Sequence, residues 1–287
     1  MSRVAYVNGR YVPHRAACVH IEDRGYQFAD GVYEVCEIWH GHIVDMRGHL
    51  DRLERSLDEL EIAMPMTRAA LRVVLHEVAR RNRVREGLVY VQVTRGVAPR
   101  DHVFPGPDVR PSIVVTARSS DRAKADRTAE EGIAVITVPD NRWERVDIKS
   151  VGLLPNAIAR QRAKEAGAKE AWFVDDEGFV TEGAATTAWI VTKDGTLVTR
   201  PNGTGILPGI TRRTVEEVAR RDGYHVEARK FTPQEAKEAR EAFITAATTL
   251  IMPIVTIDGT TIANGKPGSV ATAIRQRFHQ VAELEAV

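Results

Sequence analysis

A lysine among apolar neighbours can be driven towards its neutral, nucleophilic form, because burial disfavours the charged ammonium. Lys149 fits that description: it ends the β-like stretch Val146-Asp147-Ile148-Lys149, and Ile148, Val151, Leu153 and Leu154 flank it. Its stem could equally pack while the ammonium reaches water. Glu182 follows 33 residues later (182 − 149), after the turn Asp175-Asp-Glu-Gly178 and before an apolar, hydroxyl-rich run to Trp189. A carboxylate there could hold a protonated ring nitrogen, or it could be an exposed edge charge. The run Gly205-Ile-Leu-Pro-Gly-Ile-Thr-Arg212 leads straight into a helical pattern. Gly209 and Thr211 at that helix start offer free N–H groups, a hydroxyl and the positive end of the dipole, which together suit a phosphate. An ordinary Pro-Gly turn with a threonine cap is the plainer reading. Arg100 and His102 stand two apart in a Gly/Pro-rich loop, where they could share one carboxylate or form a solvated pair. Tyr33 opens a hairpin, and Arg52 sits on the flank of a leucine-striped helix, where it could reach a ligand beside the core.

Elements must position these residues. Asn8-Gly9 and His40-Gly41 each separate two apolar stretches and predict hairpins over 4–12 and 33–46. Leu50, Leu53, Leu57 and Leu60 recur at helical spacing, as do residues 71–84. Strand-like runs follow at 88–95 and 112–117. The polar stretch 118–131 has no apolar face and reads as a connector. Beyond it come Ile133-Ala-Val-Ile-Thr-Val138, helical stretches at 157–166 and 212–221 among short β runs, and a last amphipathic helix expected over 270–284. The organisation expected is α+β in two domains: 1–118, a linker over 119–131, and 132–287.

At 287 residues, 43% hydrophobic and 28% charged, the chain can bury a sizeable core. Its 40 basic and 39 acidic residues nearly cancel, so nothing points to a nucleic-acid partner. No apolar run reaches the ~20 residues of a membrane span, and residues 1–10 carry no signal-peptide core. Two cysteines, Cys18 and Cys36, show no metal spacing; a reducing cytoplasm is the expectation. The chain has neither a Walker lysine motif nor a G-x-G-x-x-G between strand and helix.

Five stretches, in this order, resemble the fold-type IV pyridoxal-phosphate enzymes and within them the D-amino acid aminotransferases. They are Glu22-Asp-Arg-Gly-Tyr-Gln-Phe-Ala-Asp-Gly-Val-Tyr-Glu34, Arg100-Asp-His102, Asp147-Ile-Lys149-Ser, Thr181-Glu182-Gly and Leu207-Pro-Gly-Ile-Thr-Arg212. Any one is weak; all five in the family's order are not. The resemblance implies a smaller N-terminal α/β domain and a larger, β-barrel-like C-terminal domain with helices. It implies pyridoxal 5′-phosphate as cofactor, Lys149 as the Schiff-base lysine and Glu182 on the pyridine nitrogen. Leu207 would pack on the ring. Gly209, Ile210 and Thr211 would bind the phosphate with Arg52. Where relatives often carry Ser and Thr this chain has Ala246-Ala247, so the backbone at Ala247, or Thr248, would serve instead. Tyr33, Arg100 and His102 would hold the substrate carboxylate, the last two from a neighbouring subunit, which implies a homodimer with shared active sites. The reaction implied moves an amino group from a small D-amino acid such as D-alanine to 2-oxoglutarate or pyruvate. Two relatives with the same cofactor machinery are the alternatives: branched-chain L-amino acid aminotransferase and a lyase of the aminodeoxychorismate type.

One position departs further. The residue matching Glu37 is basic in well-known D-specific relatives. Tyr33, Val35 and Glu37 share a strand face, which places Glu37 about 6–7 Å beyond Tyr33 by the rise per two residues. A carboxylate there would repel an acidic substrate side chain, unless Arg100 or another cation neutralises it.

Overall fold

Two pairs of left-handed residues fold the first strands back on themselves. Asn8 and Gly9 have φ of 44° and 91°, and His40 and Gly41 have 50° and 80°, as two-residue hairpin turns require. The first pair joins β1 (Val4–Val7) to β2 (Arg10–Pro13). The second joins β3 (Gly31–Trp39) to β4 (His42–Val44). The structure, a computed structural model, describes residues 3–287. Its internal contacts separate two units: one runs to Arg122 and takes in Ile148–Gly152 and Glu283–Val287, and the other holds Ala123–Asp147 and Leu153–Ala282.

Within the first unit, α1 (Arg24–Phe28) is capped by Asp23, whose carboxylate accepts from the Gly25 N–H at 2.9 Å. The leucine stripe forms α2 (Met46–Glu59), and α3 (Arg68–Asn82) follows. Leu50, Leu53 and Leu57 of α2 and Leu71, Leu75 and Val78 of α3 are buried in one core with Val32, Cys36 and Ile38 of β3. Each such side chain contributes about 1.5–3 kcal/mol by leaving water. Leu60 falls just past the end of α2 and is only partly buried. Strands β5 (Gly87–Thr94) and β6 (Ser112–Ser119) complete the local run.

The second unit begins with α4 (Arg122–Glu131), so most of the stretch expected as a linker is helix, and its Ala129 belongs to the unit's core. Then come β7 (Ile133–Pro139), α5 (Leu154–Glu165), β8 (Glu170–Val174), β9 (Val180–Gly183), β10 (Thr187–Val191) and β11 (Leu197–Thr199). They are followed by α6 (Ile210–Arg221), β12 (Val226–Ala228), α7 (Pro233–Glu238), β13 (Glu241–Ala246), β14 (Leu250–Ile257), β15 (Thr260–Thr261) and α8 (Ser269–Val281). Nine strands pair in the order β12-β11-β10-β13-β14-β7-β8-β9, with β15 on β14. Trp172, Phe231, Ile190, Ile244 and Met252 lie in its core.

The last helix is shorter than its sequence pattern suggests. Ala282 leaves helical geometry at ψ 147°, and β16 (Leu284–Ala286) pairs antiparallel with β4. Asp45 secures the crossing: its backbone N–H donates to the Glu283 carbonyl at 2.8 Å, and its carboxylate accepts from the Glu283 N–H at 2.9 Å. The first unit's sheet therefore reads β16-β4-β3-β5-β6-β1-β2.

Candidate active site

Lys149 belongs to the first unit through the segment Ile148–Gly152. Ile148 is buried in that unit's core and anchors the segment. The Tyr33 N–H donates to the Lys149 carbonyl, and the Val151 N–H to the Gly31 carbonyl, both at 3.0 Å. Val32 and Ser150 form the bridge between them, so the lysine rides on the edge of β3 as one more short strand would. Its own N–H donates to Ser56 Oγ of α2 at 3.3 Å. Lys149 Nζ sits over the Tyr33 ring, 4.2 Å from the centroid. Among the described residues no carboxylate pairs with it.

Alternation along β3 sorts its side chains. Tyr33 faces away from the core and meets Tyr90 of β5 with ring centroids 5.7 Å apart. Burial and the neighbouring Tyr33 push the Tyr90 phenol up to about 12, so it acts as a neutral donor, to Gln92 Oε1 at 2.6 Å. Glu34 points the other way and is wholly buried. Arg52 of α2 donates to both its oxygens, at 2.6 and 2.8 Å, and His49 Nδ1 lies 2.7 Å from Oε2. Burial alone would raise the Glu34 carboxyl; the Arg52 charge and hydrogen bonds, with His49, outweigh it and hold it far below the usual range. Arg52 thus sits beneath the face that carries Tyr33, whereas Arg55, on the outer side of α2, pairs with Glu59 at the surface.

Arg100 and His102 are exposed, and both lie on Phe28 of α1: the Arg100 guanidinium carbon is 4.8 Å from the ring centroid, and the His102 ring 5.4 Å. Glu37 does not stand where the sequence expectation put it. Four positions separate it from Tyr33, which is about 13 Å along a strand rather than 6–7 Å. It is largely buried, and Arg122 donates to its Oε1 at 3.2 Å. The neutralising cation is Arg122, not Arg100.

In the second unit Glu182 is the third residue of β9, behind the Asp175–Gly178 turn. Arg142 donates to its Oε1 at 2.5 Å, and the Leu207 N–H donates to its Oε2 at 3.2 Å. Arg142 is held in turn by two bonds to Asp140, at 2.9 and 2.7 Å, and Asp140 also accepts from Thr181 Oγ1 at 2.7 Å. Burial would raise Asp140, but its bonds to Arg142 and Thr181 bring it below its ordinary value. The result is a chain of ion pairs, Asp140–Arg142–Glu182, that links the segment just past β7 to β9.

Gly209 is the N-cap of α6, and no side chain caps that helix end. A Cβ at Gly209 would come 2.9 Å from Thr187 Oγ1 and 3.1 Å from Arg212 Cβ, so the cap is kept bare by crowding. Ile210 and Thr211 are the first two helical residues and are buried; Thr211 is inside the helix and is not its cap. Ala247 and Thr248 occupy the turn between β13 and β14, where Thr248 is exposed and the Thr249 N–H closes back on the Ala246 carbonyl at 3.2 Å.

Sequence reasoning gave no role to Asp140 and Arg142, to the Glu34–His49 pair, or to Arg24 and Phe28. Arg24, Phe28 and Glu34 lie inside the stretch Glu22–Glu34 that carried the resemblance, and the alternation of β3 was available to place Glu34 inward. Nothing local marks Arg142: its partner Glu182 is 40 positions away.

Comparison with known proteins gives these features a context. Residues 31–257 match the family model described as amino-transferase class IV. The D-alanine aminotransferase of Bacillus licheniformis is 40% identical over 268 residues, 93% of each chain. Among solved structures, the branched-chain aminotransferase of Thermoproteus uzoniensis with norvaline is similar at a TM-score of 0.84 and 27% identity, over 98% of this chain and 94% of that one. The branched-chain amino acid aminotransferase of Escherichia coli has a TM-score of 0.90 at 22% identity, over 98% and 95%, a likeness of fold.

Proposed function

The chain belongs to the class IV aminotransferases, pyridoxal-phosphate enzymes, and acts as a D-amino acid aminotransferase; from that premise we propose that Lys149 is its reactive lysine and Glu182 the partner of the cofactor's ring nitrogen. The observation that carries this reading is the contrast in pairing: an amine with no carboxylate partner, and a carboxylate held on both oxygens. These donor sets fit a phosphorylated pyridine aldehyde. The amine suits the aldehyde and the ionised carboxylate suits a protonated ring nitrogen. The uncapped start of α6 suits the phosphate dianion.

When bound, the cofactor supplies a ring that accepts the electron pair left on the substrate carbon. The protein supplies the rest. Lys149 Nζ takes a proton from the substrate α-carbon and later gives it back, as base and then acid. Glu182 would hold the protonated ring nitrogen, and Arg142 and the Leu207 N–H fix its carboxylate in place. N–H groups of Gly209, Ile210 and Thr211 would orient the phosphate, with Ala247 and Thr248; Arg52, the other residue the resemblance assigns to it, is bound to both oxygens of Glu34. Leu207 would pack on the ring. Tyr33, Arg100 and His102 hold the carboxylate common to amino and 2-oxo acids, the latter pair from the partner of a homodimer in the cytoplasm.

Small amino and 2-oxo acids are the substrates, and no helix of the described residues is long and apolar enough to cross a membrane. A half-reaction series with paired D- and L-alanine, D- and L-leucine, followed by loss of the cofactor's absorbance, tests the reading. We expect loss with the D-enantiomers; faster loss with L-leucine would instead support a branched-chain L-aminotransferase. Release of pyruvate from aminodeoxychorismate without any 2-oxo acid acceptor would support a lyase.

A further inference from the structure

We infer that Arg24 is the positioning residue for Arg100 and His102, an inference that rests on the carboxylate-holding role proposed for that pair. Arg24 opens α1 and is only 3% exposed. Its Nε donates to Asp30 Oδ2 at 2.7 Å. Its Nη1 donates to the Asp101 carbonyl at 2.6 Å and reaches the Val103 carbonyl at 3.4 Å. Asp101 is the residue between Arg100 and His102. The buried cation is therefore satisfied by the backbone that carries the two exposed side chains.

Further interactions make a clamp of this. Phe28, at the other end of α1, takes the Arg24 and Arg100 guanidinium carbons each 4.8 Å from its ring centroid, and His102 lies against the same ring. Asp30 Oδ2 also accepts from Arg95 Nε at 2.8 Å, which fixes the carboxylate that orients Arg24. Arg95 itself donates to the Leu60 and Glu61 carbonyls at 2.6 and 3.0 Å and stacks on Phe104 at 3.6 Å. The loop is thus pinned before Arg100, between Arg100 and His102, and after His102.

An exposed arginine and histidine on a free loop would spend little time in any one geometry. Affinity for a carboxylate falls in proportion to the time the pair is correctly presented. Arg24 raises that fraction by holding the backbone between the two side chains. The buried charge also resists release of the loop, since withdrawing the carbonyls would leave its donors unmatched.

The test is steady-state kinetics of the holoenzyme with D-alanine and a 2-oxo acid. Arg24→Gln, Arg24→Lys, the Arg100→Ala/His102→Ala double variant and the triple variant with Arg24→Gln are compared. Loss of hydrogen bonds from a charged group predicts that Arg24→Gln raises both Michaelis constants about tenfold or more. Turnover should stay within about threefold, the pattern of lost binding rather than lost chemistry. Arg24→Lys should recover part of the affinity, because one ammonium can keep Asp30 or the Asp101 carbonyl but cannot fork to both. In the double-variant background Arg24→Gln should add nothing to the Michaelis constants. Wild-type constants in Arg24→Lys, or an undiminished Arg24→Gln effect in the double background, overturn the inference; the lysine variant decides the matter if the glutamine variant does not fold. A double variant with wild-type constants would instead remove the carboxylate-holding role itself, which separates the two failures.

Discussion

The two units restrain their key charged groups in opposite ways. In the first, Lys149 is fixed through its backbone, to Tyr33 and Ser56, while its amine rests on the Tyr33 ring and, among the described residues, on no carboxylate. In the second, Glu182 is fixed through its side chain, with one oxygen on Arg142 and the other on the Leu207 N–H. The difference matches the roles proposed for them. A group that exchanges partners and carries a proton needs a firm base and a loose head, whereas a group that holds one charge throughout needs its head immobilised. Each unit also contains a fully locked ion pair, Glu34–Arg52 and Asp140–Arg142, beside the group that functions.

Removing the loose head should have the largest effect on rate and almost none on fold. Lys149→Ala is expected to abolish turnover, while the cofactor-free protein should melt within about 0.5–1 kcal/mol of wild type, the worth of a single cation–π interaction. Borohydride reduction should tag Lys149 in the wild type; a tag on another lysine would break the comparison at its first term.

Next in size is the locked pair. Glu34→Gln leaves Arg52 buried without its counter-charge, a change that costs about 3–5 kcal/mol of stability in such pairs. Its pH dependence carries a definite sign. The Glu34 carboxyl lies lower in the folded protein than in the unfolded chain, so its stabilisation is complete above the unfolded carboxylate pKa of about 4.3 and is lost as pH falls below it. Chemical denaturation of wild type and variant should show a wide gap near neutrality that narrows below about pH 4. A gap independent of pH would deny the pair its electrostatic origin.

The immobilised head should register in rate more than in binding. Glu182→Gln keeps the shape but not the charge, and losing a charge-assisted hydrogen bond of about 1.5–3 kcal/mol predicts one to two decades in turnover. Cofactor titration should change less than turnover does. Equal losses in both would make Glu182 a binding residue only.

The smallest effect is expected at Glu37. Because Arg122 already pairs with it, Glu37→Lys sets a second cation beside Arg122, a change that falls on every substrate alike. D-Glutamate and D-alanine should suffer alike, leaving the ratio of their catalytic efficiencies within about twofold. A selective gain for D-glutamate would restore the direct repulsion that the sequence suggested.

Much of the fold could be read from residues alone because its signals were local. Asn8-Gly9 and His40-Gly41 announced their turns through backbone sterics, and the spacing of Leu50, Leu53 and Leu57 announced α2 through burial. Local signals failed where the deciding partner was remote. Residues 122–131 look too polar for a packed helix, yet Ala129 enters the core and Asp126 accepts from Arg275 of α8 at 2.7 Å. Apolar periodicity ran past Val281, but Asp45 captures Glu283 and turns the chain into a strand. At the candidate site the order of five stretches pointed to Lys149 and Glu182. Arg142 was invisible because nothing in Asn141-Arg142-Trp143 reports a carboxylate on a different strand. The position of Glu37 was misjudged by counting one alternation instead of two.

The strand Leu284–Ala286 completes the edge of a sheet whose neighbouring strand, His42–Val44, is made far earlier, 238 positions separating Asp45 from Glu283. During synthesis β4 must therefore wait with one edge bare while the whole second unit is translated. Unpaired strand edges recruit other chains, and at ~5–20 residues per second the wait lasts some tens of seconds or less. The protein is thus exposed to self-association on the ribosome in a way that the finished fold hides. The edge closes when β16 arrives and Arg72 and His76 of α3 receive Glu285.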